Sequence, residues 1–157
     1  MNALLPIIAG SLAVAAACDG QHPRSTDRPP ADLLRSAAQF YEAYSQDART
    51  HQRDRLAHYY APNGALIVLA GQRRFYSRAA IDSFYRHTWQ GPAYFAWDTL
   101  AFDSLGADLV LVTGRFRWLA PGATDTAQFI YASILQTVDS GLAIRVEHET
   151  PAPRRRK

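Results

Sequence analysis

One histidine stands out for where it sits rather than for its neighbours. In Gly141 to Thr150, Leu142, Ile144 and Val146 alternate with Ala143, Arg145 and Glu147. A period of two is that of a half-buried strand. His148 continues the apolar phase, so this reading points it inward with Ile144 and Val146. An imidazole titrates near neutrality and would serve there as a general base. Asp98, in phase with Tyr94, Ala96 and Leu100, would be the carboxylate that orients it. The plainer reading of His148 is a satisfied buried ring tied to a neighbouring strand, to Glu147 or to Tyr131, and it is the one preferred. Asp98 and Asp103 then read as carboxylates at strand ends or edges.

A second pattern is aromatic. The chain has three Trp, eight Tyr and seven Phe. Trp89, Trp97, Trp118, Tyr94 and Tyr131 would line an apolar pocket with a few polar tips, as small-ligand sites do. Tyr41 and Tyr44 would aim two phenols into the same space, or else pack in the core with their hydroxyls at its edge. Core packing plus a dimer interface accounts equally for the aromatic residues. Arg115 and Arg117 share a face and are placed on a solvated or dimer surface.

Other chemistries lack their residues. There is one cysteine, Cys18, so no internal disulfide forms. No Gly-x-Ser-x-Gly elbow, phosphate loop, dinucleotide fingerprint or zinc pattern is present. His51 and His58 have no carboxylate or thiolate at ligand spacing and read as surface residues. No metal or cofactor is expected. The net charge of +3 is concentrated in Arg154-Arg155-Arg156-Lys157. No basic stripe interleaved with aromatics marks the body, so no nucleic-acid partner is expected.

These residues need elements to hold them. At 157 residues and 48% hydrophobic content, the chain is long enough for one domain with a real core. Asp32 to Ser45 reads as a first helix, with Leu34, Ala37, Ala38 and Tyr41 on one face. Arg53 to Tyr60 reads as a second, short helix. Ala65 to Ala70 and Arg73 to Tyr76 form a strand pair about Gly71-Gln72. Ser77 caps a third helix, Arg78 to His87. Four long antiparallel strands follow: Ala93–Phe102, Leu109–Leu119, Thr126–Val138 and Gly141–Thr150. Gly114, in mid-strand, marks a bulge or a close approach. The order is α+β, a curved antiparallel sheet covered on one face by helices.

The N-terminal end reads differently. Ala3 to Ala17 is an uncharged, mostly apolar run, too short to span a bilayer and of the length of a secretory core. The small residues before Cys18 resemble a bacterial lipobox. That resemblance implies removal of residues 1–17 as a signal peptide and lipidation of Cys18, the only membrane attachment expected. Residues 18–30, polar and Pro-bearing, read as a tether. The folded domain is assigned to 31–150 and a basic, frayed end to 151–157.

Several motifs in order resemble the nuclear transport factor 2-like superfamily, and its SnoaL-like group in particular. They are the Pro62-Asn63-Gly64-Ala65 entry to the first strand, Ser77-Arg78-Ala79-Ala80-Ile81 at the third helix, and Val112-Thr113-Gly114-Arg115 with Trp118 in mid-sheet. The last is the ending Ile144-Arg145-Val146-Glu147-His148-Glu149-Thr150, in which Leu142 stands where the family has Trp and Val146 where it has a first His. The resemblance implies a cone-shaped half-barrel with a pocket at its open end and dimerisation through the outer sheet face. It also implies either binding without catalysis or a small isomerase, lyase or cyclase. For an isomerase the resemblance places a carboxylate base on the first hairpin, and Ala65 to Arg74 holds no Asp or Glu. The expected function is therefore binding of a small apolar ligand or a protein partner in the cell envelope. An enzyme using His148 and a dimerisation scaffold are the alternatives.

Overall fold

A computed structural model describes residues 30–69 and 71–153. The expected signal segment, Cys18, most of the tether and the four terminal basic residues lie outside the described residues.

Helix α1, Pro30–Arg49, is the axis of the fold. Leu33, Ala37, Tyr41, Ser45 and Ala48 recur every three or four residues and are all buried, the stripe an amphipathic helix turns to a core. The helix runs one turn further than expected because the polar residues at its end are partnered rather than solvated. The Ser45 hydroxyl donates to the Tyr41 carbonyl and accepts from Trp97 Nε1 at 2.7 Å. Asp47 accepts from the Tyr59 hydroxyl at 2.7 Å and pairs with Arg55 at 3.2 Å. The expected second helix is split into α2, Arg53–Leu56, and a 3₁₀ turn, Ala57–Tyr59.

Strands β1, Ala65–Leu69, and β2, Gln72–Tyr76, form the hairpin. Helix α3, Arg78–His87, starts where expected, with the Ala80 amide donating to Ser77 Oγ at 3.3 Å. Strands β3, Tyr94–Ser104, β4, Leu109–Leu119, β5, Ala127–Val138, and β6, Gly141–Pro151, are long and antiparallel in succession. The α+β expectation holds. The sheet order is β2-β1-β6-β5-β4-β3, and β1 joins β6 in parallel, so the sheet is mixed rather than wholly antiparallel. Strand β6 takes in Pro151, and the Ala152 amide donates to the Gln128 carbonyl at 2.8 Å, two residues beyond the expected end of the domain.

Two bulges bend this sheet. In β3 the pairing with β4 skips Asp98, between Trp97 and Thr99. Gly114 lies on the strand opposite, where an added Cβ would stand 2.3 Å from the Thr99 carbonyl oxygen. The close approach read at Gly114 is therefore real, and the bulge belongs to its neighbour. The second bulge is in β6. Leu135 pairs with Ile144 but Ile134 pairs with Val146, leaving Arg145 as the extra residue. Arg145 is held outside: its Nη1 donates to Asn63 Oδ1 at 3.2 Å and to the Gly64 carbonyl, and its guanidinium lies over the Phe75 ring.

That second bulge overturns the expected orientation of the last strand. One inserted residue reverses every side chain beyond it. Ile144 faces the core as expected, but Glu147 then faces inward, paired with buried Ser133, and Glu149 inward beside buried Tyr131. His148 turns outward and is exposed, its Nε2 2.9 Å from Thr150 Oγ1.

Candidate functional site

The concave face of the sheet, α1 and α3 enclose a cavity of ≈ 460 Å³. Its walls are largely aromatic. Phe95 and Trp97 come from β3, Phe116 and Trp118 from β4, Phe129 and Tyr131 from β5, and Phe84, Tyr85 and Trp89 from α3 and the segment after it. Edge-to-face contacts lock these rings together. Trp97 lies 5.0 Å from Tyr131 and 5.2 Å from Phe95, and Trp89 lies 5.4 Å from Tyr85, between ring centroids. The hairpin supplies Ile67, Leu69, Gln72, Arg74 and Tyr76 at one side.

The polar floor comes from β6. Glu147 is 4% exposed and has both carboxyl oxygens occupied: the Tyr60 hydroxyl donates to Oε2 at 2.7 Å and the Tyr131 hydroxyl to Oε1 at 3.0 Å. Behind these, Tyr60 meets the Tyr85 hydroxyl at 2.9 Å, and Tyr131 meets that of Tyr41 at 2.8 Å. Tyr41 also bonds Ser133. Glu149, two residues on, lines the same cavity, and no hydrogen bond to its carboxyl is found among the described residues.

Burial sets the charge state of this group. It pushes the Glu147 carboxyl above the usual carboxylate range, against the opposing pull of the Tyr60 and Tyr131 hydroxyls. Burial, reinforced by the neighbouring Glu147, carries Glu149 up to about 8. Burial likewise raises Tyr41, Tyr44, Tyr60, Tyr85 and Tyr131. Their hydroxyls stay protonated and available as donors. The cavity therefore presents, near neutral pH, a carboxylic acid and a ring of phenols inside an apolar wall. Such a group can donate a hydrogen bond, exchange a proton, or ionise opposite a cation.

The residues singled out from sequence are placed as follows. Tyr44, Trp89, Trp97, Trp118 and Tyr131 line the cavity, whereas Tyr94 does not: it is exposed at the start of β3 with the Arg117 guanidinium over its ring. Tyr41 lies beneath it, holding Tyr131 and Ser133. His148 is on the opposite face of the sheet. Asp98 is also outside, on the β3 bulge, where it accepts from Arg117 Nε at 2.7 Å and Gln128 Nε2 at 3.1 Å. It cannot orient His148, which is on the outer face of β6, beyond both β4 and β5. Arg115 is exposed, and Arg117, not Arg115, is the partner of Asp98. His51 bonds the Pro92 carbonyl at 2.8 Å and packs on Gly91. Among the described residues no group of three or more His, Cys, Asp or Glu is arranged to hold a metal.

Sequence reasoning missed Glu147 and Glu149 as cavity groups. The hairpin has no acid, but β6 lies parallel to β1 and sets Glu147 beside Ile67 and Glu149 beside Leu69. The signal was the Glu-x-Glu spacing, which puts two carboxylates on one face of a strand whichever face that is.

No protein-family model matches the chain, and no curated protein matches it. Solved structures do. An NTF2-like protein of unknown function from Shewanella oneidensis MR-1 superposes with a TM-score of 0.65 at 14% identity, over 77% of this chain and 98% of that one. An NTF2-like protein of unknown function from Pseudomonas putida KT2440 gives 0.65 at 17% identity, over 78% and 88%. A ketosteroid isomerase-like protein from Erwinia carotovora atroseptica SCRI1043 gives 0.64 at 10% identity, over 78% and 98%. At these identities the likeness is one of fold, and the fold is the NTF2-like cone.

Proposed function

We propose that this chain is an exported, lipid-anchored envelope protein whose cone binds a small, largely apolar molecule without transforming it. The carrying observation is the cavity: ≈ 460 Å³ of space walled largely by packed aromatic rings, with a few polar groups among them. Cavities of that size and lining suit a small organic molecule. Interlocked rings also leave little side-chain freedom to lose on binding. Export and anchoring rest on the apolar run before Cys18. A homodimer through the outer sheet face, with Arg115, Arg117 and the exposed Ile130 on it, is part of the same proposal.

Native mass spectrometry of the chain purified from its own host, with organic extraction, tests the reading. A retained small molecule at one copy per chain is the expected result. A cavity that neither retains nor accepts an apolar molecule overturns it.

A second reading is acid–base turnover of the bound molecule, and Glu149 rather than His148 favours it. Among the described residues its carboxyl has no hydrogen-bond or ion-pair partner, it lines the cavity, and burial pushes it up to about 8. Under that reading Glu149→Gln abolishes turnover of the extracted molecule and leaves its binding within a few-fold.

A further inference from the structure

The groups in the cavity select a class of ligand, given that the cavity binds a small molecule at all. Two carboxyl groups stand side by side on β6, and among the described residues neither has an ion-pair partner. Glu147 is satisfied by two hydroxyls, whereas Glu149 is open to the cavity. Half-buried and with no hydrogen-bond donor among the described residues, the Glu149 carboxylate gains most from a positive charge beside it. The same cavity is lined by Trp89, Trp97 and Trp118, and indole rings attract cations.

The charged and titratable groups around Glu149 are few. Its own strand brings Glu147, β5 brings Tyr131, and β1 brings only Ile67 and Leu69. Helix α1 brings Tyr44 with Tyr41 beneath, the 3₁₀ segment Tyr60, and α3 Tyr85. Strand β2 brings Tyr76 and Arg74. Among the described residues Arg74 is the one cation lining the cavity; it is exposed and pairs with neither acid. The protein thus supplies acid, phenols and aromatic rings, and among the described residues no cation is paired with either acid.

We propose that the cavity takes a lipophilic organic cation: a hydrocarbon or aromatic body bearing one ammonium group, seated beside Glu149 and against the indoles. Binding then ionises Glu149 and releases its proton, so affinity for a permanent cation rises with pH.

Benzyltrimethylammonium and neopentylbenzene have the same shape and differ by a charged nitrogen in place of a carbon. Both are titrated into the full chain at pH 6.0 and pH 8.5, read by tryptophan fluorescence. The expected result is at least tenfold tighter binding of the cation at pH 8.5. That preference shrinks at least fivefold at pH 6.0, and Glu149→Gln, which keeps the side chain's shape, removes it at both. The pH comparison on the unaltered chain stands even where the variant folds poorly. Equal or tighter binding of neopentylbenzene at pH 8.5 overturns the cation proposal and leaves the cavity reading intact. So does a cation preference that is independent of pH or survives Glu149→Gln. Binding of neither probe overturns both.

Discussion

Ile144 and Glu147 stand three residues apart on one strand and face the same side of the sheet. A regular strand would put them on opposite sides. Arg145 is the inserted residue between them, pinned outside by Asn63, Gly64 and Phe75. That single insertion turns two carboxyl groups into the cavity and the histidine out of it.

The first prediction follows for His148. Its ring is exposed, with Thr150 Oγ1 its hydrogen-bond partner. Surface substitutions of this kind change stability by about 0.5 kcal/mol or less. His148→Ala should therefore leave both the urea midpoint and the affinity for an apolar probe unchanged. A tenfold loss of affinity would restore the inward reading.

Glu147 should behave in the opposite way. Its two oxygens depend on Tyr60 and Tyr131. Tyr60→Phe leaves one buried acceptor without a donor, which costs about 1–3 kcal/mol. Urea unfolding checks this, and a loss below about 0.5 kcal/mol would show that the Tyr60 contact is not made in solution.

Stability should fall as pH rises. Both carboxyl groups bind a proton more tightly folded than unfolded, so the folded chain holds more protons between the ordinary value of 4.5 and about 8. In that window unfolding releases protons, and the stability present at low pH is lost as pH increases. Each group contributes a slope of at most about 1.4 kcal/mol per pH unit. Glu149→Gln should flatten the profile between pH 5 and 8. An unchanged slope would mean that Glu149 is solvated.

Gly114 tests the bend in the sheet. A methyl group there would meet the Thr99 carbonyl at 2.3 Å. Relief requires the strands to part, and overpacking of this kind costs about 1–3 kcal/mol. Gly114→Ala should lower the melting temperature by several degrees, whereas Gly122→Ala, in an open turn, should show no steric penalty and only the strain of its positive φ.

Much of the fold was legible because local signals agreed with it. Ser77 before an apolar repeat predicted α3 to the residue, and alternation with Gly-containing turns located β3 to β6 within two residues. The end of α1 was read less well, since Asp47 looks like a turn residue until Tyr59 and Arg55 arrive from elsewhere in the sequence. The site was the part least visible. Bulges at Asp98 and Arg145 are set by what packs on them, Gly114 and the 60–64 segment, and no local pattern announces either. Strict alternation through Arg145 therefore gave the wrong face for everything after it. Five of the aromatic residues, Tyr44, Trp89, Trp97, Trp118 and Tyr131, reached the cavity because none of them lies beyond a bulge on its element.

The claim that the cone encloses a binding cavity has a direct test, because all three tryptophans of the chain, Trp89, Trp97 and Trp118, line it. Tryptophan emission is then a report on the cavity alone. The measurement is titration of the full chain with 1-bromonaphthalene, a small apolar heavy-atom quencher. Saturable quenching of nearly all the emission at one equivalent per chain is the predicted result. Weak quenching that grows linearly without saturating would mean that the rings close on themselves and no cavity opens to a ligand.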